Sequence, residues 1–375
     1  MVFLRLVQRV VRVFSCFSCL AYIFGSGFSN SASKEVIQNI VADKETTNST
    51  EFAGQETREA RQPETTTMHT TRNESPKKIT MSFIGDCLIA SYMGEKTEGS
   101  LNWTAERKPP EYFFEKVAKI FLEDDITVAN LENVFTDSEL KPVEKSGRAF
   151  WFKSPAKNAR ILAKGGVDAV TVENNHSYDY GRQGFLDTLE AVEKAGIKAG
   201  YNGNPVIIEK NGIRVGIVCC GLWVYSHYTR AVRQVEEIEP VTDIQIVYFH
   251  GGEEKIHQPE EWKKKAARKI AEAGADLVIG SHPHVLQPME IYHGVPIVYS
   301  LGNFVYGGNR KPENRTIVFQ AFFEIEGGQV KVSYDIIPCY VYTGSTNNWQ
   351  PDIITDPAEK EKVLEFMKGN SGRPY

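Results

Sequence analysis

Long apolar runs, cysteine and a surplus of one charge are all scarce in this chain of 375 residues, and each scarcity removes a class of protein. The N-terminal apolar run, Val13 to Phe24, falls short of the roughly 20 residues that cross a bilayer as a helix. Six cysteines are present, and Cys16 and Cys19 lie inside that run. The others, Cys87, Cys219, Cys220 and Cys339, need form no disulfide framework, because a globular region of about 300 residues buries enough apolar surface unaided. Cys219 and Cys220 are adjacent in an apolar, strand-like stretch, which suits buried free thiols. The formal net charge is -5, and Lys and Arg are scattered rather than gathered into a basic-aromatic stripe. Nucleic acid is therefore excluded as a partner. No internal repeat divides the chain, so one large domain is expected.

What is present begins with Arg5, Arg9 and Arg12 ahead of the apolar run, and small and polar residues from Gly25 to Ser33 after it. That order matches a secretory signal, so residues 1–33 are expected to be a signal peptide. They become a signal anchor if Leu6 to Val11 joins the apolar segment. A lipid-attachment site at Cys16 or Cys19 is disfavoured, because Phe14-Ser15 and Phe17-Ser18 stand where small residues are needed. Residues 34–78 are rich in Thr, Glu, Asn, Gln and Arg without periodicity, as in a flexible polar linker or a removable pro-segment. The folded domain is expected over 79–345, with a C-terminal extension over 346–375 and a frayed tail from Lys368. The expected location is exported: extracytoplasmic, at the cell membrane or envelope.

From Ile79 onward short apolar runs alternate with amphipathic stretches, the pattern of an α/β domain. Strands are expected at Thr80 to Ile84, Ile126 to Ala129, Ala169 to Val172, Arg214 to Val218, Ile244 to Phe249, Leu277 to Ile279 and Pro296 to Tyr299. Helices are expected at Glu111 to Leu122, Ala156 to Lys164, Gln183 to Ala195 and Glu260 to Ala273. Alternation over Thr316 to Ile325 and Gln329 to Ile337 predicts antiparallel strands closing the sheet system. Polar clusters fall directly after five of the strands, where α/β folds place ligands. They are Gly85-Asp86, Asn130-Leu131-Glu132-Asn133, Asn174-Asn175-His176, His250-Gly251-Gly252-Glu253 and Gly280-Ser281-His282-Pro283-His284.

Taken singly, each cluster has a plain structural reading as a turn, an Asx motif or a solvated loop charge. Converging on one rim, they read as a shared site. Its oxygen and imidazole donors suit Zn, Mn, Fe or similar divalent ions, and no thiolate lies among them. Two such ions about 3.5 to 4 Å apart clamp a phosphoryl oxygen and generate a nucleophilic water at neutral pH. Cys87 adjoins the site but points the other way if its strand continues. The aromatic run Phe150-Trp151-Phe152 reads as core.

These motifs, with Asn174-Asn175-His176-Ser177-Tyr178-Asp179-Tyr180-Gly181 and the long run from Gly280 through Ser300-Leu301-Gly302-Asn303-Phe304, resemble the capsule-synthesis proteins of the CapA/PgsA type. The resemblance covers about residues 80 to 310. It implies a calcineurin-like metallophosphoesterase fold, a four-layer αββα sandwich with mixed sheets and the metal site at the strand C-terminal ends. By the same resemblance Asp86 binds a first metal, Glu132 bridges, Asn175 and His250 bind a second, and His282 and His284 complete the two shells. His176 faces the substrate as general acid or as partner to a phosphate oxygen, with Asp179 orienting it or serving a turn. Glu253 and Asn303 are supporting or substrate-contacting candidates.

One departure stands out: such phosphoesterases begin with Asp-x-His, and here Leu88 follows Asp86 by two. The resemblance implies an envelope protein for synthesis or export of an anionic polymer, poly-γ-glutamate, carrying a metal-dependent hydrolase-type site with two divalent ions. Membrane polymer-synthase subunits are the implied partners. The rival readings are a non-catalytic scaffold of such a synthase, and a general secreted phosphoesterase.

Overall fold

The computed structural model describes residues 75–147 and 149–375. The signal expected over 1–33, and the linker as far as residue 74, lie outside the described residues. Among the described residues no helix is long and apolar enough to cross a membrane.

The first half contains β1 (Lys77–Leu88), β2 (Ser91–Tyr92), α1 (Leu101–Ala105), α2 (Ala118–Glu123), β3 (Ile126–Leu131), β4 (Val134–Phe135) and β5 (Phe152–Ser154). There follow α3 (Ala159–Lys164), β6 (Ala169–Thr171), α4 (Gly181–Lys194), β7 (Lys198–Gly200), β8 (Val206–Lys210), β9 (Ile213–Gly221) and α5 (Tyr228–Ile238). The rest is β10 (Ile244–His250), α6 (Glu261–Glu272), β11 (Leu277–Ser281), β12 (Leu286–Tyr292), β13 (Val295–Leu301) and β14 (Asn303–Tyr306). Last come β15 (Thr316–Glu326), β16 (Gln329–Tyr340), β17 (Asp352–Ile353) and α7 (Pro357–Met367).

One sheet runs β17-β16-β15-β1-β3-β6-β7, with β14 also paired to the end of β1. A second runs β12-β13-β11-β10-β9-β8, and β2-β5-β4 form a small third sheet. Both large sheets are mixed. β1, β3, β6 and β7 are parallel, and β15 and β16 join antiparallel. β9, β10, β11 and β13 are parallel, flanked by antiparallel β8 and β12.

Period-two alternation assigns each side chain to a layer. Met81, Phe83, Val128, Ile217, Cys219, Ile246, Tyr248 and Ile279 fill the core between the two sheets. Their neighbours turn outward. Ile84, Cys87, Ala129 and Val170 meet Phe121, Leu162 and Phe185 from the helical side of the first sheet. Val218, Cys220, Val247, Phe249 and Val278 meet Ala231, Val235, Ala266 and Ile270 of α5 and α6. The result is a four-layer αββα sandwich, and the four described cysteines are buried free thiols. Strands covered on both faces read as continuous apolar runs, which is why these were legible.

Several elements depart from expectation, and three of them bear on the packing. The helix expected over Glu111 to Leu122 is a 3-10 turn, Pro110–Phe113, followed by α2. The Tyr112 carbonyl accepts from Gln350 Nε2 at 2.7 Å, and Phe113 and Phe114 are both buried, so the segment serves tertiary contacts before its own ladder. Helix α5 was not anticipated, although Ala231, Gln234, Val235 and Ile238 form its buried stripe. Within 346–375, α7 is capped by Asp356, which accepts from the Glu359 N–H, and has Pro357 in its first turn. Its Val363, Phe366 and Met367 enter the core between the sheets.

Candidate metal centre

The rim loops are held by backbone approaches that only glycine permits. A Cβ at Gly85 would lie 1.9 Å from the Gly302 carbonyl oxygen. With none there, the Asp86 N–H donates to that oxygen at 2.9 Å, tying the end of β1 to the turn between β13 and β14. A Cβ at Gly251 would likewise meet the Leu222 carbonyl oxygen at 1.9 Å, so the ends of β9 and β10 lie together. These approaches explain why Gly precedes Asp86 and follows His250.

Glu132 is the centre of the arrangement. Its carboxylate is wholly buried, yet neither oxygen has a hydrogen bond among the described residues. Around Oε1 stand His250 Nε2 at 3.4 Å and His284 Nε2 at 3.7 Å. Ligand atoms of Glu132, His282 and His284 all lie within 4.8 Å of one another. His282 Nδ1 is 3.1 Å from His250 Nε2, which also faces Asn175 Oδ1 at 2.8 Å. On the other side His284 Nδ1 meets Asp86 Oδ2 at 3.1 Å and Asn303 Oδ1 at 3.0 Å. His282 and His284 both have positive φ, 101° and 58°, and this backbone turns both imidazoles into the cage.

The electrostatics follow from burial. Desolvation lowers His250 to about 3 and His282 to about 2, so both imidazoles are neutral. Burial pushes the Glu132 carboxyl up to about 8, and the Asp86 charge adds to it. Burial would also raise Asp86, but the hydrogen bond and charge of His284 outweigh it and bring the carboxyl down to about 2. His284 is raised to about 10: burial disfavours its charge, but Glu132 and Asp86 more than compensate.

The donor set fits a divalent cation. A buried carboxylate without hydrogen bonds is costly unless something of opposite charge meets it. Two unprotonated imidazoles, a second carboxylate and an amide oxygen complete an oxygen and nitrogen set.

Asp86, Glu132, Asn175, His250, His282 and His284 are thus brought together. His176 and Asp179 sit beside them: His176 Nδ1 is 2.8 Å from Asp179 Oδ2, with Asp179 buried and accepting from the Phe152 N–H at 2.8 Å and from Lys145 Nζ. Phe152 packs edge-on against the His176 ring at 4.8 Å. Asn303 holds His284 from both ends, since its Nδ2 donates to the His284 carbonyl at 3.0 Å. Glu253 is placed elsewhere. It is exposed, and its backbone N–H is taken by Glu260 Oε1 at 2.6 Å. The acid whose charge reaches Glu132, His250 and His284 is Glu254. Leu88, in place of a histidine, is buried with Ala90, Phe152, Tyr306 and Val341. Cys87 packs in the helical layer, where burial pushes its thiol up to about 12.

Sequence reasoning missed Asn130 and Trp223. Asn130 Nδ2 donates to Asp86 Oδ1 at 2.9 Å and lies 3.2 Å from His250 Nδ1, bridging two ligand-bearing strands. Its place in the Asn130-Leu131-Glu132 run was the available signal. Trp223 follows β9, the strand whose C-terminal end offered no charged cluster, and its ring stands 4.9 Å from His282.

Residues 80–307 match the family described as bacterial capsule synthesis protein PGA_cap. Over 252 residues the chain is 30% identical to the PGA biosynthesis protein CapA of Bacillus subtilis, covering 61% of this chain and 63% of that protein. It is 24% identical to the capsule biosynthesis protein CapA of Bacillus anthracis, covering 80% of this chain and 76% of that one. A probable polyglutamine synthesis accessory protein of Mycobacterium tuberculosis is 26% identical, covering 48% of this chain and 55% of that protein. The order of the rim motifs, the sandwich that carries them and these matches lead to one conclusion: the chain belongs to the PGA_cap family of bacterial capsule synthesis proteins, within the metallophosphoesterase-like superfamily.

Proposed function

We propose that this chain is an exported, envelope-associated protein acting in the synthesis or export of an anionic capsule polymer, poly-γ-glutamate, through a metal-dependent hydrolase-type site. The observation that carries the reading is the Glu132 carboxylate, buried among three histidines with no hydrogen bond among the described residues. Glu132, His250, His282 and Asn175 would hold one divalent ion, and Asp86, His284 and Glu132 a second. A bound divalent ion supplies Lewis-acid polarisation of a carbonyl or phosphoryl oxygen and a water that deprotonates near neutrality. The chain's own residues do the remainder. With Asp179 accepting from its Nδ1–H, the neutral His176 ring is left with Nε2 as a base, which takes up a proton from the attacking water and then returns that proton to the leaving group. Lys145 and the Phe152 N–H hold the Asp179 carboxylate in place. Membrane polymer-synthase subunits are the proposed partners.

Metal analysis of the purified protein is the test. Bound Mn, Fe or Zn is expected, and Glu132→Gln or His282→Ala with His284→Ala is expected to lower metal affinity by at least about tenfold. A protein that binds no divalent ion, or variants with unchanged metal content and unchanged polymer, would overturn the reading. Leu88, buried where the related pattern has a histidine, favours a second reading, a scaffold of the synthase without turnover. His176→Ala separates the two, since a scaffold keeps supporting polymer formation and a hydrolase does not.

A further inference from the structure

Trp223 and Lys255 lie on two loops that border the cage. Trp223 stands edge-on to His282 and His250, at 4.9 and 5.6 Å between ring centroids, yet is 36% exposed. It reaches that position because residue 221 is glycine: a Cβ there would lie 2.6 Å from Trp223 Nε1. The Trp223 backbone N–H donates to His227 Nδ1 at 3.3 Å, which anchors the turn, while the indole N–H makes no hydrogen bond among the described residues. Val224 and Tyr225 extend the exposed apolar surface. A half-exposed indole fixed beside a reactive centre suits recognition better than core packing, because it offers a rigid apolar face and one donor.

Lys255 is the second. Its backbone is left-handed, φ 62°, a strained state for lysine, and its N–H donates to the Pro283 carbonyl at 2.7 Å, between His282 and His284. Its exposed ammonium has no ion pair or hydrogen bond among the described residues. The two loops therefore meet the same run, Trp223 with its ring against His282 and Lys255 with its backbone N–H at Pro283. A lysine on this loop also bears on the electrostatics of the rim. Glu254 extends its negative charge to Glu132, His250 and His284, so an anionic ligand approaching this rim meets repulsion that a neighbouring ammonium offsets.

We propose that Trp223 and Lys255 form a substrate subsite that takes an amide-linked chain bearing carboxylates, the indole packing against its methylene and amide segment and the ammonium pairing with a carboxylate. The assignment rests on the function proposed above and specifies which residues select its substrate. Neither residue is a metal ligand.

The experiment is titration calorimetry of metal-loaded protein with short poly-γ-glutamate chains and with their neutral γ-amide counterparts, alongside metal content and thermal stability. Trp223→Ala is expected to weaken binding of both probes about tenfold. Lys255→Glu is expected to weaken only the anionic probe, about fivefold or more, with Lys255→Arg restoring it. Trp223→Phe guards against misfolding. Metal content should be that of the parent in every case. Parent protein that binds poly-γ-glutamate equally to Trp223→Ala and Lys255→Glu overturns the subsite and leaves the function standing. Parent protein that binds neither probe overturns both.

Discussion

At the scale of single residues, buried carboxylates in this fold divide by what meets them. Glu132 faces one raised imidazole, His284, and two neutral ones, whereas half-buried Asp124, at the opposite end of β3, meets no cation among the described residues. Burial raises its carboxyl to about 6, hydrogen bonds from Ser82 and Thr127 offset this only in part, and the charges of Asp168 and Asp125 add to it. Since the folded value lies above the ordinary one, its contribution to stability is complete below about pH 4 and is lost as pH rises through about 6. Asp124→Asn keeps an acceptor for the Thr127 hydroxyl and removes the charge. It should stabilise the protein by about 1–2 kcal/mol at pH 7, after allowance for partial exposure, and leave stability at pH 4 unchanged. Thermal melts of the two proteins at both pH values check this, and an equal shift at pH 4 would refute the cause assigned.

At the scale of elements, the site depends on where strands end and how closely their ends approach. The parallel pairing of Asp86 with Asn303 sets β14 beside the end of β1, and Gly85 lets the two backbones meet at Gly302. That approach aligns Asp86 with Asn303, and Asn303 in turn fixes His284. Gly85→Ala forces a backbone clash that no side chain can relieve, so a loss of about 3 kcal/mol or more is expected, with metal binding lost alongside. Denaturant unfolding and metal content measure the two effects. A stable variant that retains metal would show that the approach is not what orders the cage. The same reasoning explains the fate of Glu253. The loop after β10 turns at Gly252 and Lys255, both with positive φ, and Glu260 captures the Glu253 N–H. That turn carries Glu253 outward, and no property of the Glu253-Glu254 pair itself reveals it.

At the scale of the molecule, the C-terminal helix belongs to the core. Val363, Phe366 and Met367 are wholly buried between the sheets, and Glu359 pairs with Arg315 at 2.6 Å. Each of those side chains contributes about 1.5–3 kcal/mol, so together they rival a net folding stability of about 5–15 kcal/mol. A chain ending at residue 355 should therefore be insoluble or lack a cooperative melt, as circular dichroism would show. A truncated chain with the parent's melting temperature would contradict that account.

The sequence alone determined the α/β class, the central strands and the order of the rim motifs. Strands buried on both faces must be continuously apolar, and parallel strands place their following loops on one edge, so both facts are written locally. The edge strands β8 and β12, whose exposure is partial, and helix α7, whose buried positions are few, carry weaker local signals, whereas α5 bears a plain apolar stripe of Ala231, Val235 and Ile238. Only tertiary structure decided which donors face inward. Asn130 became a bridge between Asp86 and His250 because β1, β3 and β10 end together, and Trp223 reached His282 because Gly221 leaves room for its ring. Those choices depend on distances between segments far apart in the chain, which no local pattern encodes.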